Sequence, residues 1–433
     1  MNTPNNQSSL QQWVDWLLHL HAQEIDLGLE RVSLVANQMQ ITRPAPFIIS
    51  VAGTNGKGSS VAMLASILKE AGYNVGTYTS PHILKFNERI QINGISVNDQ
   101  KIVDAFTSIE NQRKTTKLTY FEFSTLAALE IFKQASLDVV VLEVGLGGRL
   151  DAVNLVDADA SLITAIDVDH IDWLGDDRNV IAVEKAGIMR EGKVSVCSDP
   201  NPPGTLLEYA SNLNANLACL DKDFNYYSDE NNHQAWWFDF KPINNESLRL
   251  NKPGLQGEFQ LQNAAGVVAL LQKVQQELPV SIQAINLGLT QVQHPGRMQS
   301  LQINNQAWLV DVAHNPQSAQ ALADYLIKQE NDLTQSIAVF SALNDKDMLP
   351  MIKAIAPFVS EWVVADLNIP RATSVEQLTG LIMQAGVKEK AILGFESIAL
   401  AVEYAQSAET EKVLVWGSFF TVSQTLESLQ SEQ

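Results

Sequence analysis

The sequence predicts an α/β protein organised in two domains, and three observations carry that expectation. Apolar, β-prone runs at residues 47–51, 138–144 and 160–166 alternate with stretches of helical periodicity, the pattern of a mostly parallel sheet covered on both faces. The first run leads into a turn holding Gly53, Gly56 and Gly58 and then into a helix. A second series of strand signals, at about 298–303, 306–311, 336–341, 360–365 and 411–416, begins after His294-Pro295-Gly296-Arg297, whose Pro-Gly pair marks a connection. At 433 residues the chain exceeds what one hydrophobic core ordinarily serves, so the expected domains are 1–293 and 294–433.

Taken in order, residues 1–9 are polar and read as a frayed end. Residues 13–25 read as an amphipathic helix with Trp13, Trp16, Leu17 and Leu20 on one side, followed by a turn from Ile25 to Arg31 into a second short helix. After the first strand, Val61, Leu64, Leu68 and Ala71 recur at helical spacing and Gly72 stands where a C-cap glycine belongs. Residues 74–79 form the next strand, 87–92 a polar turn into a short strand, 99–114 a helix, and Thr119-Tyr120-Phe121-Glu122 opens a helix to about 134. A helix over 179–188 holds Glu184-Lys185-Ala186-Gly187. Residues 193–220 read as short strands and helices, 221–250 as an edge hairpin of the first domain, 259–274 as a helix with Asn263 near its start, and 287–297 as the linker. In the second domain Asn304-Asn305 separates two strands as a hairpin turn.

Composition narrows the partners. A hydrophobic fraction of 45% with 18% charged residues, no 18-residue apolar run and no charged-then-apolar leader predict a soluble cytoplasmic protein. The 49 acidic against 29 basic residues leave a net charge of −20, which repels nucleic-acid backbones and anionic membranes, so neither is an expected partner. Small anions remain admissible, because a glycine loop and a metal reverse the potential locally. Cys197 and Cys219 lack metal-like spacing and read as idle thiols, and nothing points to an obligate dimer, so a monomer is expected.

The chemistry is concentrated at strand ends. In Gly53-Thr54-Asn55-Gly56-Lys57-Gly58-Ser59 the missing Cβ atoms let several backbone N–H groups face one anion at the positive end of a helix, with Lys57 as a point charge and Ser59 or Ser60 open to a metal. Thr79-Ser80-Pro81-His82 places Ser80 and His82 at a carboxyl edge, where such sheets bind ligands. Glu143 ends a buried strand before Gly145-Leu146-Gly147-Gly148-Arg149-Leu150-Asp151, the position of an acid that holds Mg²⁺. Asp167, Asp169, His170 and Asp172 follow the next strand and suit either a divalent ion or a helix-start network. Asp311-Val312-Ala313-His314-Asn315-Pro316 forms a further strand-end cluster with no phosphate loop of its own. Composition alone assigns Lys185 no role.

GTNGKGS at 53–59, SPH at 80–82, EVGLGGRLDAVN at 143–154, DH at 169–170, EKAG at 184–187, HPGR at 294–297 and DVAHNP at 311–316, in this order, resemble the Mur ligase superfamily and its folate branch, the folylpolyglutamate synthases. The resemblance covers nearly the whole chain from about Ile25. It implies an N-terminal P-loop ATPase domain with a mostly parallel sheet and a C-terminal Rossmann-like glutamate ligase domain, with the active site between them. It also implies ATP-dependent amide formation, in which a carboxylate takes the γ-phosphoryl group and L-glutamate attacks the acyl phosphate. By the same resemblance Thr54, Asn55, Gly56, Lys57, Gly58, Ser59, Asn263, Arg297 and Asp311 contact ATP. Ser80, Glu143, His170 and a carbamylated Lys185 hold Mg²⁺ at two sites, a monovalent cation is a further candidate, and Lys57, Lys185 and His170 are catalytic. Members that also act as dihydrofolate synthase carry a dihydropteroate pocket matching Ile25-Asp26-Leu27, Thr119-Tyr120-Phe121-Glu122 and Leu150-Asp151-Ala152, with His82 and His314 as further substrate contacts. The expected substrates are therefore 7,8-dihydropteroate, reduced folates, L-glutamate and ATP. A sister ligase of peptidoglycan precursors would want a uridine-diphosphate pocket where this chain has a short helical lead, and a non-catalytic ATP-binding module would have no need of a metal cluster.

Overall fold

The computed structural model describes residues 3–21, 23, 25–229, 231–241, 247–328 and 336–431. Residues 22 and 24 of the expected first helix and 230 and 242–246 of the expected hairpin lie outside them. The chain forms two compact units, Met1–Gly254 with Gln260–Gln293, and Leu255–Phe259 with His294–Gln433.

The first unit is built on eight strands: β1 (Phe47–Ala52), β2 (Val75–Tyr78), β3 (Ile90–Ile92), β4 (Ile95–Ser96), β5 (Val139–Glu143), β6 (Ala160–Ile163), β7 (Val194–Cys197) and β8 (Asn216–Cys219). Their order is β4-β3-β2-β5-β1-β6-β7-β8. The six from β2 to β8 in that order run parallel, and β3 and β4 close one edge antiparallel. β1 and β5 are almost wholly buried, as their mostly apolar sequences require of strands covered on both faces. Cys197 and Cys219 are register partners across β7 and β8, both buried and unbridged.

The N-terminal helix spans Leu10–Leu17, beginning three residues before the expected start and ending well before Ile25. Ser9 and Gln12 form a reciprocal capping box that fixes the earlier start. Trp13 packs against Phe106 at 5.7 Å and Phe123 at 6.4 Å, so packing rather than propensity sets the length of this element. Three strands, β9 (Phe224–Ser228), β10 (Ala235–Phe240) and β11 (Leu248–Asn251), make a separate antiparallel sheet in the order β11-β10-β9 instead of an edge hairpin. Trp236, Phe238 and Phe240 on alternate positions of β10 give that sheet its own buried face. Residues 287–291, expected in the linker, are the end of a helix, Ile282–Gln291, capped by Ser281 and held by Ser66, whose hydroxyl donates to the Gly288 carbonyl at 2.8 Å.

The second unit contains β12 (Gln299–Ile303), β13 (Gln306–Val310), β14 (Ser336–Phe340), β15 (Glu361–Ala365), β16 (Ile392–Phe395) and β17 (Lys412–Trp416) in the order β12-β13-β17-β14-β15-β16. β12 and β13 form the hairpin, with Asn304 at φ 51°, and the remaining pairs are parallel. β16 was not foreseen: its sequence, Ile-Leu-Gly-Phe, is short and only half buried at an edge. Phe340, Trp362 and Trp416 meet at the centre of this unit's core.

Candidate active site

In the first unit the neighbours β2, β5, β1 and β6 deliver their ends to one edge of the sheet. Val51 lies opposite Glu143, Tyr78 opposite Leu142, and Ala52 opposite Ile163. Parallel register therefore places the residues after each strand side by side: Thr79-Ser80, Glu143, the glycine loop, and the segment from Thr164 to His170. Ser80 donates its backbone N–H to Glu143 Oε2 at 3.2 Å, and the Glu143 side chain is buried. Thr54 is stitched to the β6 segment three times: its N–H donates to the Ala165 carbonyl at 2.7 Å, its hydroxyl donates to the Asp167 carbonyl at 2.8 Å, and the hydroxyl oxygen accepts the Asp167 N–H at 2.9 Å.

The loop itself is shaped by glycine and by a distant helix. Gly56 caps the helix Lys57–Glu70 in the left-handed region, φ 89°, and a Cβ there would lie 2.3 Å from Asn263 Oδ1. Asn263 Nδ2 donates to Gln260 Oε1 at 3.0 Å, and Gln260 Nε2 donates to Ser59 Oγ at 3.2 Å, so the helix Phe259–Lys273 underlies the loop. Lys57 Nζ folds over the loop to the Gly53 and Thr54 carbonyls at 3.1 and 3.2 Å. Asn55 bridges Ala165, and Gly58 and Ser59 are buried in the first helical turn.

Lys185 sits in the last turn of the helix Arg178–Ala186, 3% exposed, and its Nζ has no hydrogen-bond or ion-pair partner among the described residues. Burial, with the Lys57 charge adding, pulls its ammonium down to about 7 against the pull of Asp169 and Asp151. The EVGLGGR and EKAG motifs are one packed piece. Arg149 N–H donates to the Glu184 carbonyl at 2.7 Å, its guanidinium pairs with Glu184, and a Cβ on Gly148 would come within 2.7 Å of the Glu184 carbonyl oxygen. His170 caps the short helix Ile171–Leu174 with φ 54°. Among the described residues no three His, Cys, Asp or Glu side chains are gathered as a metal group. Of the four residues expected to hold Mg²⁺, Ser80 and Glu143 are in direct contact.

The three stretches expected to form a substrate pocket do meet. Gly28 N–H donates to the Leu150 carbonyl at 3.3 Å, joining 25–28 to 150–152. Arg31 pairs with Asp26 at 2.7 Å and with Glu122 at 2.9 Å, joining the first stretch to the helix Tyr120–Gln134. Thr119 and Glu122 cap that helix reciprocally, and Phe121 lies 6.0 Å from the buried Tyr78 ring. Ile25 and Leu27 are half-buried, and Ala152 is buried. Asp151 accepts the N–H groups of Leu146 at 2.8 Å and Val153 at 2.9 Å. Burial nevertheless pushes its carboxyl up to about 7, against those donors and the Lys57 charge.

Arg89 and Arg31 were not anticipated from the sequence. Arg89 is 7% exposed, donates Nε–H to His82 Nδ1 at 2.8 Å, and stacks over Phe86 at 5.6 Å and Tyr120 at 5.3 Å. Burial and the Arg89 charge pull the His82 imidazole down to about 4. Since arginine only donates, the neutral ring carries its proton on Nε2.

In the second unit, Asp311 accepts Met298 N–H at 2.8 Å and Ala313 N–H at 2.7 Å, and burial raises its carboxyl despite the Arg297 charge. Arg297 stacks on Phe419 at 4.9 Å, and the His314 ring lies 5.6 Å from the same phenyl group. His314 Nδ1 is 2.8 Å from the Val312 carbonyl, so Nδ1 carries the proton.

These features define a class: a phosphate-binding α/β unit with acid, imidazole and hydroxyl at its strand ends, followed by a Rossmann-like unit with a strand-end cluster of its own. A family model described as the Mur ligase middle domain matches residues 51–271, and one described as Mur ligase, glutamate ligase domain, matches residues 296–419. The chain is 39% identical over 436 residues to the dihydrofolate synthase/folylpolyglutamate synthase of Escherichia coli, covering 100% of this chain and 98% of that one. It superposes with TM-score 0.91 at 39% identity on E. coli FolC in complex with DHPP and ADP, covering 99% and 100% of the two chains. It superposes with TM-score 0.88 at 39% identity, covering 99% and 100%, on a bifunctional folylpolyglutamate synthase/dihydrofolate synthase with Mn, AMPPNP and L-glutamate bound. The chain belongs to the Mur ligase family and, within it, to the dihydrofolate synthase/folylpolyglutamate synthases.

Proposed function

We propose that this chain is an ATP-dependent ligase that joins L-glutamate to 7,8-dihydropteroate, and further glutamates to reduced folates, through an acyl phosphate. The observation that carries the reading is the convergence of Ser80, Glu143, the glycine loop and the segment ending in His170 on one sheet edge. Asp151 links that edge to the pocket, since its charge acts on both Lys57 and Lys185. The first unit would act as the ATPase domain and the second as the glutamate ligase domain, with 293/294 as their boundary.

The donor chemistry fits a hard divalent ion: the Ser80 hydroxyl, the buried Glu143 carboxylate and the His170 imidazole are ligands that Mg²⁺ and Mn²⁺ accept. Such an ion, when bound, neutralises charge between two anions that must react. Lys185, buried and without a hydrogen-bond or ion-pair partner among the described residues, suits carbamylation, in which its amine bonds to the carbon of CO₂ and releases a proton. The same resemblance extends to a second divalent site and a monovalent cation.

The chain's own groups perform the rest. Backbone N–H groups of residues 54–59 and Lys57 hold the phosphates, with Asn263, Arg297 and Asp311 contributing to the nucleotide. A carboxylate oxygen of the pterin acid bonds to the γ-phosphorus as ADP leaves. The glutamate amine then bonds to the acyl carbon, loses a proton and expels phosphate. The pterin lies among Ile25, Asp26, Leu27, Thr119 to Glu122 and Leu150 to Ala152, with His82 and His314 as further substrate contacts. The enzyme works as a monomer in the cytoplasm. Sustained ADP release should require both dihydropteroate and glutamate, with no more than a single turnover when glutamate alone is omitted; continued release with either one omitted, or turnover without amide product, would overturn the reading.

A further inference from the structure

Arginine is rarely buried without an acid, because an unpaired charge taken out of water loses its hydration with nothing to replace it. Arg89 breaks that rule. It is 7% exposed, no carboxylate lies within 4 Å of it among the described residues, and neither Nη nitrogen has a hydrogen-bond partner there. What surrounds it is neutral: the His82 ring at Nε, the Phe86 and Tyr120 faces, and the Thr79 backbone, whose N–H donates to the Arg89 carbonyl at 2.9 Å. Two aromatic faces and one imidazole fix the plane of the guanidinium while leaving its forked edge uncommitted. Its neighbours are also informative. Tyr120 belongs to the pocket stretch, and Thr79 precedes Ser80, so Arg89 stands where the pocket meets the strand-end cluster.

We propose that Arg89 is the seat of the substrate carboxylate, a two-pronged clamp that receives the acid about to be activated and turns it toward the nucleotide. The proposal rests on the ligase reading above. A planar fork matches a carboxylate in a way an ammonium does not. It follows that the acid, not the pterin ring, is the group whose recognition Arg89 controls.

The test is equilibrium binding of 7,8-dihydropteroate and of its carboxamide to the wild-type chain and to Arg89→Met, which keeps the stacked stem without the charge. The acid should bind the variant about 10- to 100-fold more weakly, with the carboxamide shifted less than about threefold and ATP affinity unchanged. Equal weakening of acid and amide would reduce Arg89 to a packing role, and unchanged acid affinity would dismiss it altogether. Should Arg89→Met not fold, wild type must still prefer acid to amide by about tenfold or more, and Arg89→Lys must recover only part of that preference; failure of either overturns the proposal. Amide synthesis by the wild type alongside unchanged acid binding in Arg89→Met sinks this inference alone, whereas no synthesis by the wild type sinks the ligase reading.

Discussion

Gly56 shows how much a single position can demand. Its φ of 89° and the Asn263 oxygen 2.3 Å from where a methyl would sit leave no room for alanine. Gly56→Ala should lower nucleotide affinity by about tenfold or more, read by ADP titration, and Asn263→Ala should relieve the clash without relieving the backbone strain. Lys57→Ala should reduce kcat/KM by on the order of 10²-fold in an ADP-release assay without shifting Tm; retained turnover would remove Lys57 from the chemistry. A different effect is expected at His294, whose buried Nε2 has no hydrogen-bond partner among the described residues and whose imidazole burial and Arg297 pull down to about 3. The unfolded ring takes its proton near 6.5, so between these values the unfolded state binds more protons. The stability contributed by the neutral ring is complete above 6.5 and is lost as pH falls toward 3. Thermal unfolding of His294→Asn between about pH 7 and pH 4 should therefore be less acid-sensitive than the parent, and identical slopes would exonerate this residue.

At the level of elements, the helix Tyr120–Gln134 begins with a device that serves two ends. Glu122 Oε2 accepts Thr119 N–H at 2.7 Å, and its carboxylate also pairs with Arg31, which holds Asp26. Glu122→Ala should cost about 1–2 kcal/mol in chemical denaturation and raise KM for dihydropteroate while KM for ATP stays level. A parallel rise in both would place the damage elsewhere. Elements of this kind also mark what could be read from the chain. β1, β5 and β6 were legible because β-branched runs have few other solutions, and Ser80 and Glu143 were legible as polar residues at or just beyond the ends of such strands. Arg89 was not, since an arginine between Glu88 and Ile90 looks like any solvated cation until a fold buries it. Asn263 could be placed at the loop only by resemblance, because the contact spans some two hundred residues. The first helix departs from its local pattern in extent because Trp13 is committed to Phe106 and Phe123, partners no local pattern reveals.

Across the molecule, each unit has its own core. Trp308, Trp362 and Trp416 are buried in the second, while Trp13, Trp16 and Trp236 are buried in the first. Calorimetry of the full chain should resolve two transitions, and ADP at about 100 times its Kd should raise the first unit's transition by the equivalent of about 2.7 kcal/mol. A single transition would mean that the units unfold as one. The net charge of −20 does not locate the site, because the chemistry lies in a few local groups that oppose the global field.

The pairing of Val51 with Glu143 and of Tyr78 with Leu142 carries one further implication. Side chains along a strand alternate between faces, so deleting a single residue from β5 would not loosen the acid beside Ser80 by a fraction of an ångström; it would send that acid to the far side of the sheet. The ladder of hydrogen bonds that keeps the protein folded is thus also the ruler against which its reactive groups are measured, and a ruler of this kind fails in whole steps.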